Sequence, residues 1–258
     1  MAKTQRADQL VVDAGYADDK HRALRLIMAG SVLWQKREGV WLRVEKPGQQ
    51  LPRDAALYCA EQERFVSRGG YKLLTALDAF ALDVSGNVAL DIGASTGGFT
   101  DCLLQHGTRR VYAVDVGFGQ LHWRLRHDQR VVNLERVNFR LASSELLPES
   151  VDLVVADCSF ISLRSIIPPA MPFLKSTGDI VALVKPQFES EAARRGDGVI
   201  RDAAEQRAIV ETVSAHLCQA HALRQQGVVP AAVTGPKGNQ EFLLWLAPES
   251  DCRVPGED

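Results

Sequence analysis

The sequence is short of several things, and each shortage narrows what the protein can be. Its longest apolar runs have strand length, far below the roughly 20 residues that a membrane helix needs, so a membrane protein is not expected. The segment Met1–Gln9 is polar and has no apolar core, which argues against a secretory signal and for a cytoplasmic protein. The five cysteines (Cys59, Cys102, Cys158, Cys218 and Cys252) show no CxxC spacing. That scatter argues against both a zinc site and a disulfide framework, and no metal is expected. Charge of one sign is also missing: 30 Lys+Arg against 32 Asp+Glu leave a formal charge of −2, so any nucleic-acid contact must come from local basic surface. Repeats and low-complexity tracts are absent. What remains is a chain of 258 residues, 46% hydrophobic and 24% charged, the composition of an ordinary globular protein. It is long enough for one large α/β domain with a small module in front.

The two parts differ in pattern. In residues 1–60, Leu10, Val11 and Ala14 make one helix face, closed by Gly15. Ala23, Leu24 or Leu26, and Ile27 make a second, closed by Gly30. Short strands are expected at Val32–Trp34 and Val40–Val44, with a further one within Ala55–Ala60. The charged stretch 61–70, EQERFVSRGG, is expected to be a linker. The second domain, 71–250, alternates strands and helices. Strands are expected at Val88–Ile92, Arg110–Val114, Val131–Leu134, Val151–Ala156 and Asp179–Val184, then a helix over Asp202–Ala220 and late strands near Leu223–Val233 and Phe242–Leu246. Such alternation implies a doubly wound, mostly parallel sheet of the Rossmann-like α/β class.

The first strand of that domain runs into DIGASTGGFT (91–100). Gly93, Gly97 and Gly98 permit a tight turn and close approach of backbone to a ligand. Gly93 and Gly98 have P-loop spacing, but Phe99 stands where the phosphate-gripping lysine belongs, and the loop is not G-x-G-x-x-G. The turn therefore suits a ligand with an amino-acid head, such as S-adenosylmethionine. Asp91 would draw its cationic groups, and backbone N–H groups around Ser95 and Thr96 would meet its carboxylate. Asp115 ends the second strand, where an acid can accept both ribose hydroxyls. Asn138, after the third strand, is a candidate for the adenine edge and equally a turn asparagine.

Moving a methyl group to an alcohol requires alignment and a means of making a poor nucleophile react. Asp157 follows the fourth strand, Lys185 follows the fifth and Glu241 opens the last, while Lys72 lies just past Gly69-Gly70. In an open α/β sheet, ligands bind beyond the carboxyl ends of the strands, where Asp157 and Lys185 fall. Each residue alone has a bland reading as a solvated surface charge. Together they make a candidate catalytic set.

The segments SRGGYKL (67–73), DIGASTGGFTDCLL (91–104), ADCSFISL (156–163), VKPQFE (184–189), GVIRD (198–202) and GPKGNQEF (235–242) resemble the haemolysin-like TlyA family. Its members are FtsJ-like ribosomal RNA 2′-O-methyltransferases preceded by an S4-type RNA-binding module. The resemblance implies a cytidine in 16S or 23S rRNA as substrate and places the family's Lys–Asp–Lys–Glu set on Lys72, Asp157, Lys185 and Glu241. It further implies that Lys185 stands nearest the nucleophile. In front, residues 1–65 carry 11 Lys+Arg and 9 Asp+Glu, a net of only +2. Arg6, Lys20, Arg22, Arg25, Lys36 and Arg68 are the candidate RNA contacts. The family's Ser-Arg at the second helix start is replaced by Asp19-Lys20, and its Asn-Gly turn near 35 is missing. A methyltransferase for a base amine or small molecule remains open, as does a non-enzymatic ribosome-assembly factor. A pore-forming haemolysin is disfavoured by the lack of any membrane-active segment.

Overall fold

The structure, a computed structural model, describes residues 4–59, 64–190, 198–235 and 237–249. The chain divides into two compact units, Met1–Arg64 and Phe65–Asp258.

The first unit sets two short helices, α1 (Ala7–Asp13) and α2 (Lys20–Met28), against two small antiparallel sheets. One pairs β1 (Thr4–Arg6) with β4 (Gln50–Pro52). The other places β2 (Val32–Arg37) between β3 (Val40–Arg43) and β5 (Leu57–Cys59). Leu10, Val11, Ala23, Leu26 and Ile27 close over Val32, Val44 and Leu51. Leu26 is the core residue and Leu24 is exposed, while Ala14 caps α1 in solvent instead of joining its apolar face. Asp19 caps α2 by accepting the Arg22 amide at 2.7 Å, so the substitution at this helix start keeps a competent N-cap. The β2–β3 hairpin turns at Glu38-Gly39, where Gly39 has φ +74°; the turn lies later in the chain than position 35.

The second unit is built on a seven-stranded sheet. Its strands are β6 (Val88–Ile92), β7 (Arg110–Asp115), β8 (Val131–Glu135), β9 (Val151–Ala156), β10 (Leu174–Val184), β11 (Leu223–Pro230) and β12 (Phe242–Pro248). They lie in the order β11-β12-β10-β9-β6-β7-β8. The five from β10 to β8 are parallel, and β12 runs antiparallel between β10 and β11. Alternation along β6 shows why both faces are buried: Val88, Leu90 and Ile92 join one core cluster with Val210, Val213 and Leu217, and Ala89 joins the other with Leu73, Leu77 and Leu103. Those partners come from the helices α7 (Ala203–His221), α3 (Gly69–Phe80) and α4 (Gly98–Gln105); α5 (Trp123–Arg126) and α6 (Pro186–Glu189) are single turns.

The stretch 61–70 is not a linker throughout. Residues 61–63 lie outside the described residues, but Phe65 is fully buried in the second unit and Gly69 opens α3. The Gly-Gly pair that reads as a breaker serves a close approach instead. A Cβ on Gly70 would sit 2.3 Å from the Phe65 ring, and one on Gly98 would sit 2.9 Å from the Gly70 nitrogen. The N-termini of α3 and α4 can therefore touch, which brings Lys72 to the cofactor loop.

Candidate active site

The carboxyl ends of β6, β7 and β9 frame a cavity of about 530 Å³, lined among others by Ser95, Asp115, Gln120, Asn138, Cys158 and Ile161. A second cavity of about 350 Å³ adjoins it and is lined by Arg68, Lys72, Ser95, Thr96, Asp157 and Lys185. Gly93, Ser95, Asp157 and Ser159 face both. Gly93 has φ +82°, and a Cβ there would lie 2.9 Å from the Asp157 carbonyl oxygen, so this position joins the two cavities only as glycine.

Several features fit S-adenosylmethionine. The larger cavity is walled by apolar groups with a carboxylate, Asp115, at its edge. Asp115 accepts the Ser95 amide at 2.8 Å and the Gly117 amide at 2.7 Å. Each of its oxygens retains a lone pair for a ribose hydroxyl. Asn138 caps a short 3₁₀ turn, accepting the Arg140 amide at 3.3 Å, and also lines this cavity. Gly69 at the start of α3 and Gly98 at the start of α4 both line the smaller cavity, giving it two positive helix ends suited to a carboxylate. Gly97, φ +95°, faces away from both cavities and packs under Leu125. Asp91 lies beneath the turn, fully buried and lining neither cavity. Its Oδ2 accepts the Thr100 hydroxyl at 2.6 Å, whereas Oδ1 has no hydrogen-bond partner among the described residues. Burial, aided by the charges of Asp157 and Asp115, pushes the Asp91 carboxyl up to about 7. An unpartnered buried carboxylate oxygen is costly alone and is relieved by a cation nearby.

The four candidate catalytic residues form two ion pairs, one buried (Lys72–Glu241) and one between a buried lysine and a half-buried carboxylate (Lys185–Asp157). Lys185 Nζ lies 2.6 Å from Asp157 Oδ1, off the hydrogen-bonding direction, and donates to Ser159 Oγ at 2.9 Å. Lys72 Nζ donates to Glu241 Oε2 at 2.6 Å. Three of the four line the smaller cavity; Glu241 stands behind Lys72. The reversed direction of β12 explains its presence here. Val184 pairs with Phe242, so the residue before β12 meets the residue after β10. The loop carrying Glu241 is tied down by Asn239, whose side chain accepts the Ile200 amide at 3.1 Å and donates to the Gly198 carbonyl at 2.8 Å. The segments GVIRD and GPKGNQEF thus meet in space.

Sequence reasoning overlooked Ser159, Thr100 and Asn239. A serine or asparagine between strands carries little signal, although Ser159 sits two residues after Asp157 and shares its turn. Arg68 is exposed at the rim of the smaller cavity. In the first unit, Arg6 is bound to Asp8 at 2.6 Å and Arg22 to Asp18 at 2.8 Å. Lys20, Arg25 and Lys36 are exposed and make no ion pair among the described residues.

A doubly wound sheet with an antiparallel strand beside its switch-point cavities, and a glycine loop without pyrophosphate-binding spacing, is the Rossmann-like methyltransferase fold. The model of the FtsJ-like methyltransferases matches residues 65–247. The 16S/23S rRNA (cytidine-2′-O)-methyltransferase TlyA of Mycobacterium tuberculosis is 43% identical over 97% of this chain and 92% of its own. Hemolysin A of Brachyspira hyodysenteriae is 36% identical over 92% of this chain and 98% of its own. A solved structure from Streptococcus thermophilus, provisionally described as a hemolysin, superposes with a TM-score of 0.70 at 38% identity, covering 98% of this chain and 93% of that one. The chain belongs to the FtsJ-like methyltransferase family, in its haemolysin-like TlyA branch. No helix among the described residues is long and apolar enough to cross a membrane.

Proposed function

We propose that the protein transfers a methyl group from S-adenosylmethionine to the ribose 2′-hydroxyl of a cytidine in ribosomal RNA. The observation that carries this reading is the convergence of Lys185–Asp157 and Lys72 on one cavity beside the glycine loop. The TlyA protein of M. tuberculosis, named for cytidine 2′-O-methylation of rRNA, supports the substrate. A ribosomal substrate would place the protein in the cytoplasm.

S-adenosylmethionine supplies the electrophilic methyl group; the chain's own residues prepare the acceptor. Positive charge on Lys185 stabilises negative charge developing on the 2′-oxygen as its proton leaves. Asp157 fixes the amine and stands where it can take that proton, and Ser159 gives the amine a second anchor. Lys72 orients the ribose, and Glu241, itself out of reach of the cavity, holds Lys72. Lys20, Arg22, Arg25 and Lys36 of the S4-type module, with Arg6, and Arg68 at the cavity rim, contact RNA phosphates. An amine acceptor would have no use for two lysines, and a covalent route through Cys158 is disfavoured by burial, which pushes its thiol up to about 12.

The test is to incubate the protein with ribosomal subunits and labelled S-adenosylmethionine, then digest the RNA to nucleosides. Label in 2′-O-methylcytidine supports the reading; label on a base contradicts it.

A further inference from the structure

Outside both cavities, α5 presents a large aromatic side chain to solvent. Trp123 is 66% exposed, on a single-turn helix that offers no core to bury it. The helix itself is fixed. Leu121 and Leu125 are buried against the cofactor loop, and the His122 amide donates to the Thr96 carbonyl at 3.1 Å. His127 Nδ1 lies 2.7 Å from the Trp123 carbonyl oxygen. The indole is flanked by the rings of His122, 5.8 Å away, and His127, 6.5 Å away. Next to it, Arg124 is exposed and makes no ion pair among the described residues, whereas its neighbours Arg126 and Arg130 are occupied by Glu135 and Asp128.

A rigidly mounted, exposed indole beside an uncommitted guanidinium matches what an unpaired nucleotide requires: a flat face for the base and a cation for its phosphate. Position strengthens the match. Thr96 lines the smaller cavity together with Lys72, Asp157 and Lys185, so Trp123 stands one residue beyond a group bonded to that cavity's wall. We infer that Trp123 and Arg124 form a second RNA contact on the catalytic unit, with Trp123 stacking on an unpaired nucleotide near the modified one and Arg124 binding its phosphate. This inference rests on the RNA-methyltransferase reading above and adds to it a specific nucleotide subsite.

The test uses the full chain with Trp123→Ala, Trp123→Phe and Arg124→Gln. The probes are a single-stranded oligoribonucleotide of roughly ten nucleotides, within the usual reach of one binding module, and heparin, a polyanion without bases. Trp123→Ala should weaken RNA binding about tenfold, the scale of one lost stacking contact, while heparin binding stays unchanged. Trp123→Phe should recover most of the loss. Arg124→Gln should lower the slope of log affinity against log salt by about 0.7, the value for one phosphate contact on a single strand. Melting temperature and cofactor affinity report on folding. If the wild type methylates ribosomal RNA yet Trp123→Ala binds the oligonucleotide normally, the stacking site is refuted and the function stands. Weakened binding to ribosomal subunits with unchanged binding to naked RNA would also refute it, by making the indole a contact for a ribosomal protein. A wild type that neither binds nor methylates RNA overturns the functional reading itself.

Discussion

At the scale of single residues, burial governs the acidity of both Asp91 and Cys158. Asp91 is fully buried with one oxygen unpartnered, and its carboxyl is pushed up to about 7 mainly by desolvation. A carboxyl whose folded pKa exceeds its unfolded one contributes stability that is full below the unfolded value and lost as pH rises through the folded value. Without cofactor, the protein should therefore lose on the order of a few kcal/mol between about pH 4 and pH 7 on account of this group. Thermal unfolding across that range should show Asp91→Asn losing less stability with pH than the wild type. Parallel curves would show that Asp91 does not titrate there. Bound S-adenosylmethionine, by offering positive charge, should favour the carboxylate, so cofactor affinity should rise with pH through 7 in the wild type and stay level in Asp91→Asn. For Cys158, whose thiol burial holds up near 12, Cys158→Ala should keep at least half the methyl transfer. Loss of nearly all activity in a folded variant would revive a covalent route.

At the scale of elements, the pairing of α3 with α4 controls the site. Lys72 rides the buried face of α3, whose start approaches α4 across Gly70 and Gly98, and its amine pairs with Glu241 ahead of β12. Lys72→Ala leaves a buried carboxylate unpaired and should cost about 3–5 kcal/mol. Pairing Lys72→Met with Glu241→Gln should recover most of that stability, by chemical denaturation, without recovering methyl transfer. If the double variant is active, Lys72 serves only to neutralise Glu241. Much of this scale was legible in the sequence. The buried strands β6 and β9 announce themselves as largely apolar runs, each interrupted by one aspartate, and they lead into the turns that carry the candidate cofactor and acceptor residues. The start of α3 was not legible, because Gly69-Gly70 reads as a break unless the close approach of Phe65 and Gly98 is known. The Lys72–Glu241 contact spans 169 residues and depends on the antiparallel insertion of β12, a tertiary fact that no local pattern encodes. The place of Asp91 beneath the loop was not legible, since a strand-end position does not reveal which side of the turn a side chain takes.

At the scale of the whole molecule, the chain is two units with separate cores, and the proposed labour divides between them. A chain beginning at Phe65 should fold, bind S-adenosylhomocysteine with near-native affinity by calorimetry and methylate RNA poorly. Full RNA activity from that fragment would remove the proposed role of the first unit. Reversing Lys20, Arg22 and Arg25 to glutamate in the full chain should weaken RNA binding and flatten its salt dependence. In the proposed mechanism the amine of Lys185, held in place by Asp157 and Ser159, carries the chemical step. The most direct measurement is the single-turnover rate of methyl transfer in a preformed complex of enzyme, cofactor and ribosomal RNA, for the wild type and Lys185→Ala. The rate should fall on the order of a hundredfold or more in Lys185→Ala with cofactor affinity intact, and Lys185→Arg should not rescue it, because a planar guanidinium cannot replace a compact ammonium. A Lys185→Ala enzyme with a near-normal single-turnover rate would contradict this role of Lys185.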